Sequence, residues 1–371
     1  MLGQPVRDLD LAVEGDGVAF GRALARPLGA RPRVHERFGT VALELGDGSR
    51  VDVASTRAET YESRGALPRV TPAPLARDLA RRDFTINAMA IRLVPGRPAL
   101  LDPLGGARDI EKKLVRMLHR GSPVDDPTRA FRAVRYANRL GFRIEARTRG
   151  WIDRAVRTGA FEAVSGDRLR RELRLLFAEE NRARAVALLC SLGLERGIDP
   201  VLSCGPGALR SLRRAEKIAA RHPGMTGWLL YLLAWAGRLK PAQAEALARR
   251  LLLAGEERKR LLGWPAALAQ LRREETRITP SRALASGFSA DEVAAAAALG
   301  IRGEGRRLEN ILDALETRLS IRGRDLIAAG VPAGPRIGRA LEATLRALRD
   351  GRVSRQGELA FAVRAALREA S

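Results

Sequence analysis

The periodicity of this chain changes near Ile110, and that change limits the folds open to it more than any other feature. Before it, apolar runs of strand length alternate with helical spacing; after it the pattern is almost all helical to the C-terminus. Strand-like runs stand at 9–13, 39–45, 50–54 and 89–93, with Gly46-Asp47-Gly48 as a hairpin signal between the second and third. Residues 17–28 have helical apolar spacing and close on Pro27 and Gly29. Residues 57–76 hold Gly65, Pro68, Pro72 and Pro74 and are expected to form a loop, long enough to be functional or mobile. Beyond Ile110, helices are expected over 126–140, with Pro127 in the first turn and Gly141 past the end, and over 168–179 and 182–192. The fold class is therefore α+β, a mixed sheet with helices followed by an all-α remainder.

Charge divides at the same place. The 371 residues carry 66 Lys+Arg against 43 Asp+Glu, a net +23. Residues 1–110 hold 16 basic and 14 acidic side chains, whereas residues 111–371 hold 50 and 29. The helical part is thus a polycation suited to a polyanionic partner, most often nucleic acid, unless its arginines merely reflect genome composition. Cys190 and Cys204 make neither a disulfide framework nor a zinc spacing, and three scattered histidines exclude a histidine-built metal site. The apolar stretch from Trp228 to Trp235 is too short to span a bilayer and reads as a buried helix. A soluble protein of a reducing cytoplasm, with no membrane association, is expected.

Chemistry is suggested first by Asp8-Leu9-Asp10, placed on an expected strand. Residues two apart on a strand share a face, so both carboxylates point one way while Leu9 points into the core. Asp52, in Arg50-Val51-Asp52-Val53, falls on another expected strand with its polar side turned from its apolar neighbours. Three carboxylates on adjacent strands suit two magnesium ions, one activating an attacking hydroxyl and the other holding a triphosphate. Surface carboxylates at strand ends are the bland alternative. A second string, Arg81-Arg82-Asp83-Phe84-Thr85-Ile86-Asn87-Ala88-Met89-Ala90, offers Arg82 to a phosphate and Asp83 and Asn87 to loops or a ribose; otherwise it is a helix start with a charged cap.

As a string, that segment resembles the signature of the tRNA nucleotidyltransferase and bacterial poly(A) polymerase family. The order of other motifs agrees. Val6–Asp16 resembles the family's metal-binding strand, Leu101–Ile110 its connector, and Asp125-Asp126-Pro127-Thr128-Arg129 with Arg132 and Arg135 its nucleotide-selecting helix. Arg168–Leu173 resembles the neck helix, and Gly323–Leu326 with Gly330–Gly338 the tail motif of many bacterial members. The resemblance implies a polymerase-beta-like catalytic head over 1–112, a helical neck over 113–180, and a helical body and tail over 181–371 that bind RNA. It implies template-independent addition of CCA, or part of it, to tRNA 3′ ends from CTP and ATP, with Asp8 and Asp10 binding Mg2+ and Asp52 completing the catalytic set. Arg82, Arg132 and Arg135 would hold phosphates. Asp126 and Arg129, three apart on one expected helical face, would read the base: a carboxylate accepts from an exocyclic amine, and a guanidinium donates to a ring nitrogen or carbonyl. A surface ion pair is the alternative there. The basic, aromatic-poor remainder suits a folded RNA held by phosphate and shape.

The chain departs from the family at its start, where a Gly-Gly-x-Val-Arg-Asp phosphate turn normally precedes the metal strand. The expectation is a start codon set too far downstream, or a head without its phosphate cradle and with an exposed sheet edge. Asp125 stands where the family has Glu. A CC-adding or A-adding partial enzyme, a poly(A) polymerase and a non-catalytic RNA-binding relic remain as alternatives; Thr56–Tyr61 resembles the matching segment of some A-adding members.

Overall fold

The computed structural model describes residue 3 and residues 8–60, 69–94, 96–224, 226–274, 278–300 and 305–368. It forms two compact units, Met1–Glu172 with Leu188–Gly197 and Leu173–Ala187 with Ile198–Ser371. The first unit runs β1 (Asp8–Val13), α1 (Gly17–Ala25), β2 (Arg31–His35), β3 (Thr40–Glu44), β4 (Arg50–Ser55), β5 (Arg57–Thr60), β6 (Arg69–Pro72), α2 (Leu75–Ala80), β7 (Ala90–Arg92), β8 (Ala99–Leu101), α3 (Gly106–Glu111), β9 (Leu114–Val115), α4 (Ser122–Asp125), α5 (Thr128–Leu140), β10 (Arg143–Ile144) and α6 (Ala146–Arg157). The division falls inside α7 (Gly166–Phe177) and α8 (Arg182–Ser191). Every later element is helical, so the expected α+β class is borne out.

The main sheet has the order β1-β4-β3-β2, with β1 parallel to β4 and β3 antiparallel to both its neighbours. Alternation along the strands sends Val41, Leu43, Val51 and Val53 to one face, where Val18 and Ala25 of α1 close a core over them. Helix α1 comes close because Gly21 has no side chain: a Cβ there would stand 2.8 Å from Cβ of Val41. Its first turn is fixed by Asp16, whose carboxylate accepts from the Val18 and Ala19 amides at 2.9 Å. The 46–48 turn joins β3 to β4, with Asp47 accepting from the Ser49 amide.

Three expectations need correction. Leu9 is 49% exposed, because the core packs against Leu11 and Val13 further along β1. Residues 57–76 are not simply a loop: β5 and β6 form an antiparallel ribbon and α2 begins at Leu75, while 61–68 lie outside the described residues. Strand β2 was not anticipated at all. The run at 89–93 forms only the short β7, paired with β8.

The division also falls at the end of α9 (Glu195–Ile198), and the second unit continues through α10 (Pro206–Arg221), α11 (Trp228–Ala236), α12 (Pro241–Arg250), α13 (Gly255–Glu274), α14 (Pro280–Ala285), α15 (Ala290–Leu299), α16 (Gly305–Glu316), α17 (Gly323–Ala328), α18 (Pro335–Arg349) and α19 (Glu358–Arg368). Helix α11 is the buried apolar segment the sequence implies, and no described helix is long and apolar enough to cross a membrane. Cys190 and Cys204 are disulfide-bonded, which corrects the expectation that they form no disulfide. Near the C-terminus α17, α18 and α19 close on Leu326, Val331, Ala340, Ala362 and Ala366. Gly330, at φ 89°, follows the end of α17, and Pro335 opens α18.

Candidate active site

The sheet face turned away from α1 carries the carboxylates. The register sets Asp10 beside Asp52 and Asp8 beside Arg50, so all three acids project from one face of two adjacent strands. Arg50 is the cation among them. Its Nε and Nη2 donate to Oδ1 of Asp52 at 2.9 and 2.8 Å. Asp52, then Asp8 and Glu44, hold the Arg50 guanidinium above its ordinary pKa. The three carboxylates do not gather within 4.8 Å of one another, and Arg50 pairs with Asp52. Exposed, hard oxygen donors of this kind fit a divalent cation such as magnesium, provided Asp52 turns from Arg50.

A second constellation grows from α2 and the segment after it. Asp78, only 2% exposed, accepts from the Arg57 amide at 3.1 Å, from Arg81 Nη2 at 2.7 Å and from Arg82 Nη2 at 3.4 Å. Arg82 also donates through Nη1 to the Asn87 carbonyl at 3.2 Å, but its Nε is buried with no acceptor. An orphaned buried donor of this kind costs about 1–3 kcal/mol. Beside it, Asp83 accepts through Oδ1 from the Phe84 amide and Asn87 Nδ2, and through Oδ2 from Nε of Arg132 at 2.6 Å. Burial opposes the charge on Arg132, yet Asp83 holds its pKa above the ordinary value.

Helix α5 does not begin where the spacing implies. Asp126 precedes it in extended backbone, φ −135° and ψ 96°, because it stands before Pro127, which disfavours helical geometry at the residue preceding it. Asp126 and Arg129 therefore do not share a helical face. Oδ1 of Asp126 accepts from Arg168 Nη2 at 2.6 Å and from Thr128 Oγ1 at 2.7 Å, while Oδ2 has no partner among the described residues. Arg129, 8% exposed, donates to Ser122 Oγ at 2.9 Å and to the Arg81 carbonyl at 3.0 Å. Arg135 is tied to Glu172 at 3.2 Å, and burial, against the pull of Arg135, raises the Glu172 pKa.

The structure thus sets Asp8, Asp10 and Asp52 on one sheet face without clustering them, and links Arg82 with Arg132 through the strip of Asp78, Asp83 and Asn87. It places Asp126 and Arg135 in separate ion pairs. Arg50, Asp78 and Arg168 escaped the sequence reading. Arg50 was legible from i,i+2 alternation with Asp52; the other two need the tertiary fold.

Residues 1–116 match the family model of a poly A polymerase head domain. Over 99% of its length the chain is 35% identical to an A-adding tRNA nucleotidyltransferase of Geobacter sulfurreducens, of which it spans only 44%. It is 33% identical to a CC-adding tRNA nucleotidyltransferase of Deinococcus radiodurans, across 99% of this chain and 86% of that protein. Among solved structures, a CCA-adding enzyme in apo form II superposes with a TM-score of 0.76 at 29% identity, covering 98% of this chain and 88% of that one. A Thermotoga maritima CCA-adding enzyme complexed with tRNA CCA gives 0.72 at 26% identity, covering 100% and 88%.

Proposed function

This chain belongs to the tRNA nucleotidyltransferase family, and on that premise we propose that it adds CCA, or part of it, to the 3′ end of tRNA from CTP and ATP without a template. The observation that carries the reading is the register of β1 on β4, with Asp10 beside Asp52 and Asp8 on the same face. Asp8 and Asp10, with Asp52, would hold Mg2+, which when bound lowers the pKa of the attacking hydroxyl and steadies the triphosphate. The tRNA 3′-hydroxyl loses its proton to solvent as its oxygen forms a bond to the α-phosphorus of the incoming nucleotide, and the α–β P–O bond breaks so that pyrophosphate leaves with that electron pair. Arg82, its side chain one-third exposed, offers its guanidinium to a phosphate oxygen. Arg132, kept in place by Asp83, supplies a second cation for the triphosphate. Arg135 joins them once it leaves Glu172.

Base choice falls to Asp126 and Arg129 in a manner different from a shared helical face. Arg168 fixes one oxygen of Asp126, leaving Oδ2 to accept from the exocyclic amine that cytosine and adenine share. Arg129 is braced by Ser122 and the Arg81 carbonyl, so its aim is set by the fold. A second reading, addition of the terminal A alone, is supported by the 35% identity, over 99% of this chain, to an A-adding relative of which it spans 44%. Incubation with tRNAs ending before C74, at C74, at C75 and at A76, with labelled CTP or ATP, decides. Incorporation of both nucleotides in order supports CCA addition, and incorporation of ATP on C75 ends alone supports the narrower reading. No incorporation on any end sinks both. Asp126→Ala with Arg129→Ala is expected to blur CTP/ATP choice; retained selectivity would refute the base-reading role.

A further inference from the structure

In the second unit, α10, α11 and the C-terminal end of α15 border a cavity of about 430 Å³. Arg210, Arg214 and Arg238 line it, and among the described residues no carboxylate does. None of the three makes a hydrogen bond or ion pair among the described residues. Another cavity of that unit, about 300 Å³, shows the contrast: there Arg174 is tied to Glu257, and Arg182 donates to the Phe177 carbonyl and lies over the Tyr231 ring. Cations satisfied in that way have little left for a ligand; the 210/214/238 set has all its donors.

Three unneutralised guanidinium groups around one hollow raise its potential and draw anions to it. Guanidinium matches phosphate oxygens with paired N–H donors, better than it matches a chloride-like point charge. The remaining wall argues against a base-stacking site. Small residues such as Gly207 and Gly300 line it, and Trp235 is 1% exposed with its Nε1 donating to the Ser203 carbonyl. Gly300, at φ 43°, leaves room for Arg214: an added Cβ would collide with its Nη1. A hollow of this volume is of the size that takes a nucleotide-sized group rather than one small ion.

We propose that this arginine-lined cavity is a docking site for backbone phosphates of RNA, separate from the residues that handle the incoming nucleotide. The proposal rests on the reading that tRNA is the partner. The full chain and an Arg210→Ala/Arg214→Ala/Arg238→Ala variant are titrated with tRNA across a salt series. A control, Arg249→Ala/Arg273→Ala/Arg368→Ala, removes equal charge from exposed positions outside the cavity. The cavity variant is expected to bind about tenfold or more weakly at low salt, with the log–log salt slope smaller by about 2, as for loss of two to three phosphate contacts. The control is expected to change affinity by no more than about threefold. Equal losses in the two variants overturn the cavity while leaving tRNA binding intact; no tRNA binding by the unmodified chain overturns the tRNA reading itself. Independently of any variant, tRNA should protect these three arginines of the unmodified chain from phenylglyoxal. Protection by inorganic pyrophosphate but not by tRNA would mark a small-anion site and refute the proposal.

Discussion

Asp83→Asn tests how the strip joining Arg82 and Arg132 is held. The carboxylate is 8% exposed and receives two donors from Arg132, Nε and Nη2, each at 2.6 Å. Two unit charges at about 4 Å attract by about 4 kcal/mol at an effective dielectric of about 20. The Arg132 side chain is 38% exposed, so solvent screens the pair and the usable coupling falls to about 1.5–2 kcal/mol. The amide retains an oxygen for the Phe84 N–H and Asn87 Nδ2, so those hydrogen bonds survive in Asn. Urea unfolding of the wild type, Asp83→Asn, Arg132→Gln and the double variant is expected to give a loss of about 2 kcal/mol for Asp83→Asn at unchanged m-value. The coupling from the cycle should be at least about 1 kcal/mol. A coupling within about 0.3 kcal/mol of zero, the usual additivity error, would refute the account of Asp83 as the anchor of Arg132.

Two glycines separate close approach from helix propensity. Gly21→Ala is expected to destabilise, by about 1–2 kcal/mol after the helix-propensity gain is deducted, because its Cβ meets Val41. Gly150→Ala, in α6 with nothing within 4 Å, is expected to stabilise by about 0.5–1 kcal/mol; both are read by thermal unfolding, and the reverse order would contradict the packing described. Glu172 supplies a pH signature. Burial raises its pKa, so the fold holds the proton more readily than the unfolded chain; the stabilisation this gives is complete below the ordinary value of 4.5 and is lost as pH rises through the raised one. Wild-type stability relative to Glu172→Gln should therefore fall over that rise, and an increase would reverse the assigned sign.

What could be read from the sequence was local. Leu11 and Val13 declare the core face of β1, Val51 and Val53 that of β4, and alternation then fixes Asp8, Asp10 and Asp52 on the other. The stop of α5 at Gly141, in left-handed backbone, was equally plain. What escaped depended on distant partners. Arg31-Pro32-Arg33-Val34-His35 lacks an apolar stripe and becomes a strand through its pairing with β3. Asp78 looks like a surface acid in α2 until Arg57, from β5, closes over it. Asp126 is the instructive miss. Three-residue spacing to Arg129 suggested a common face, yet Pro127 carried the contrary signal in plain view, and only the fold shows Arg168 reaching it from 42 positions away.

Nucleotidyl transfer as proposed depends on the acid face of β1 and β4. Single-turnover incorporation of labelled CMP and AMP into tRNA lacking its CCA end, by the wild type and by Asp8→Asn and Asp10→Asn, measures it most directly. Both positions are exposed, so the variants are expected to unfold at the wild-type urea midpoint. Incorporation by the wild type, with a loss of about 10³-fold or more in each variant, is the predicted result. Incorporation that persists undiminished in either folded variant would contradict the assignment of that face as the transfer centre.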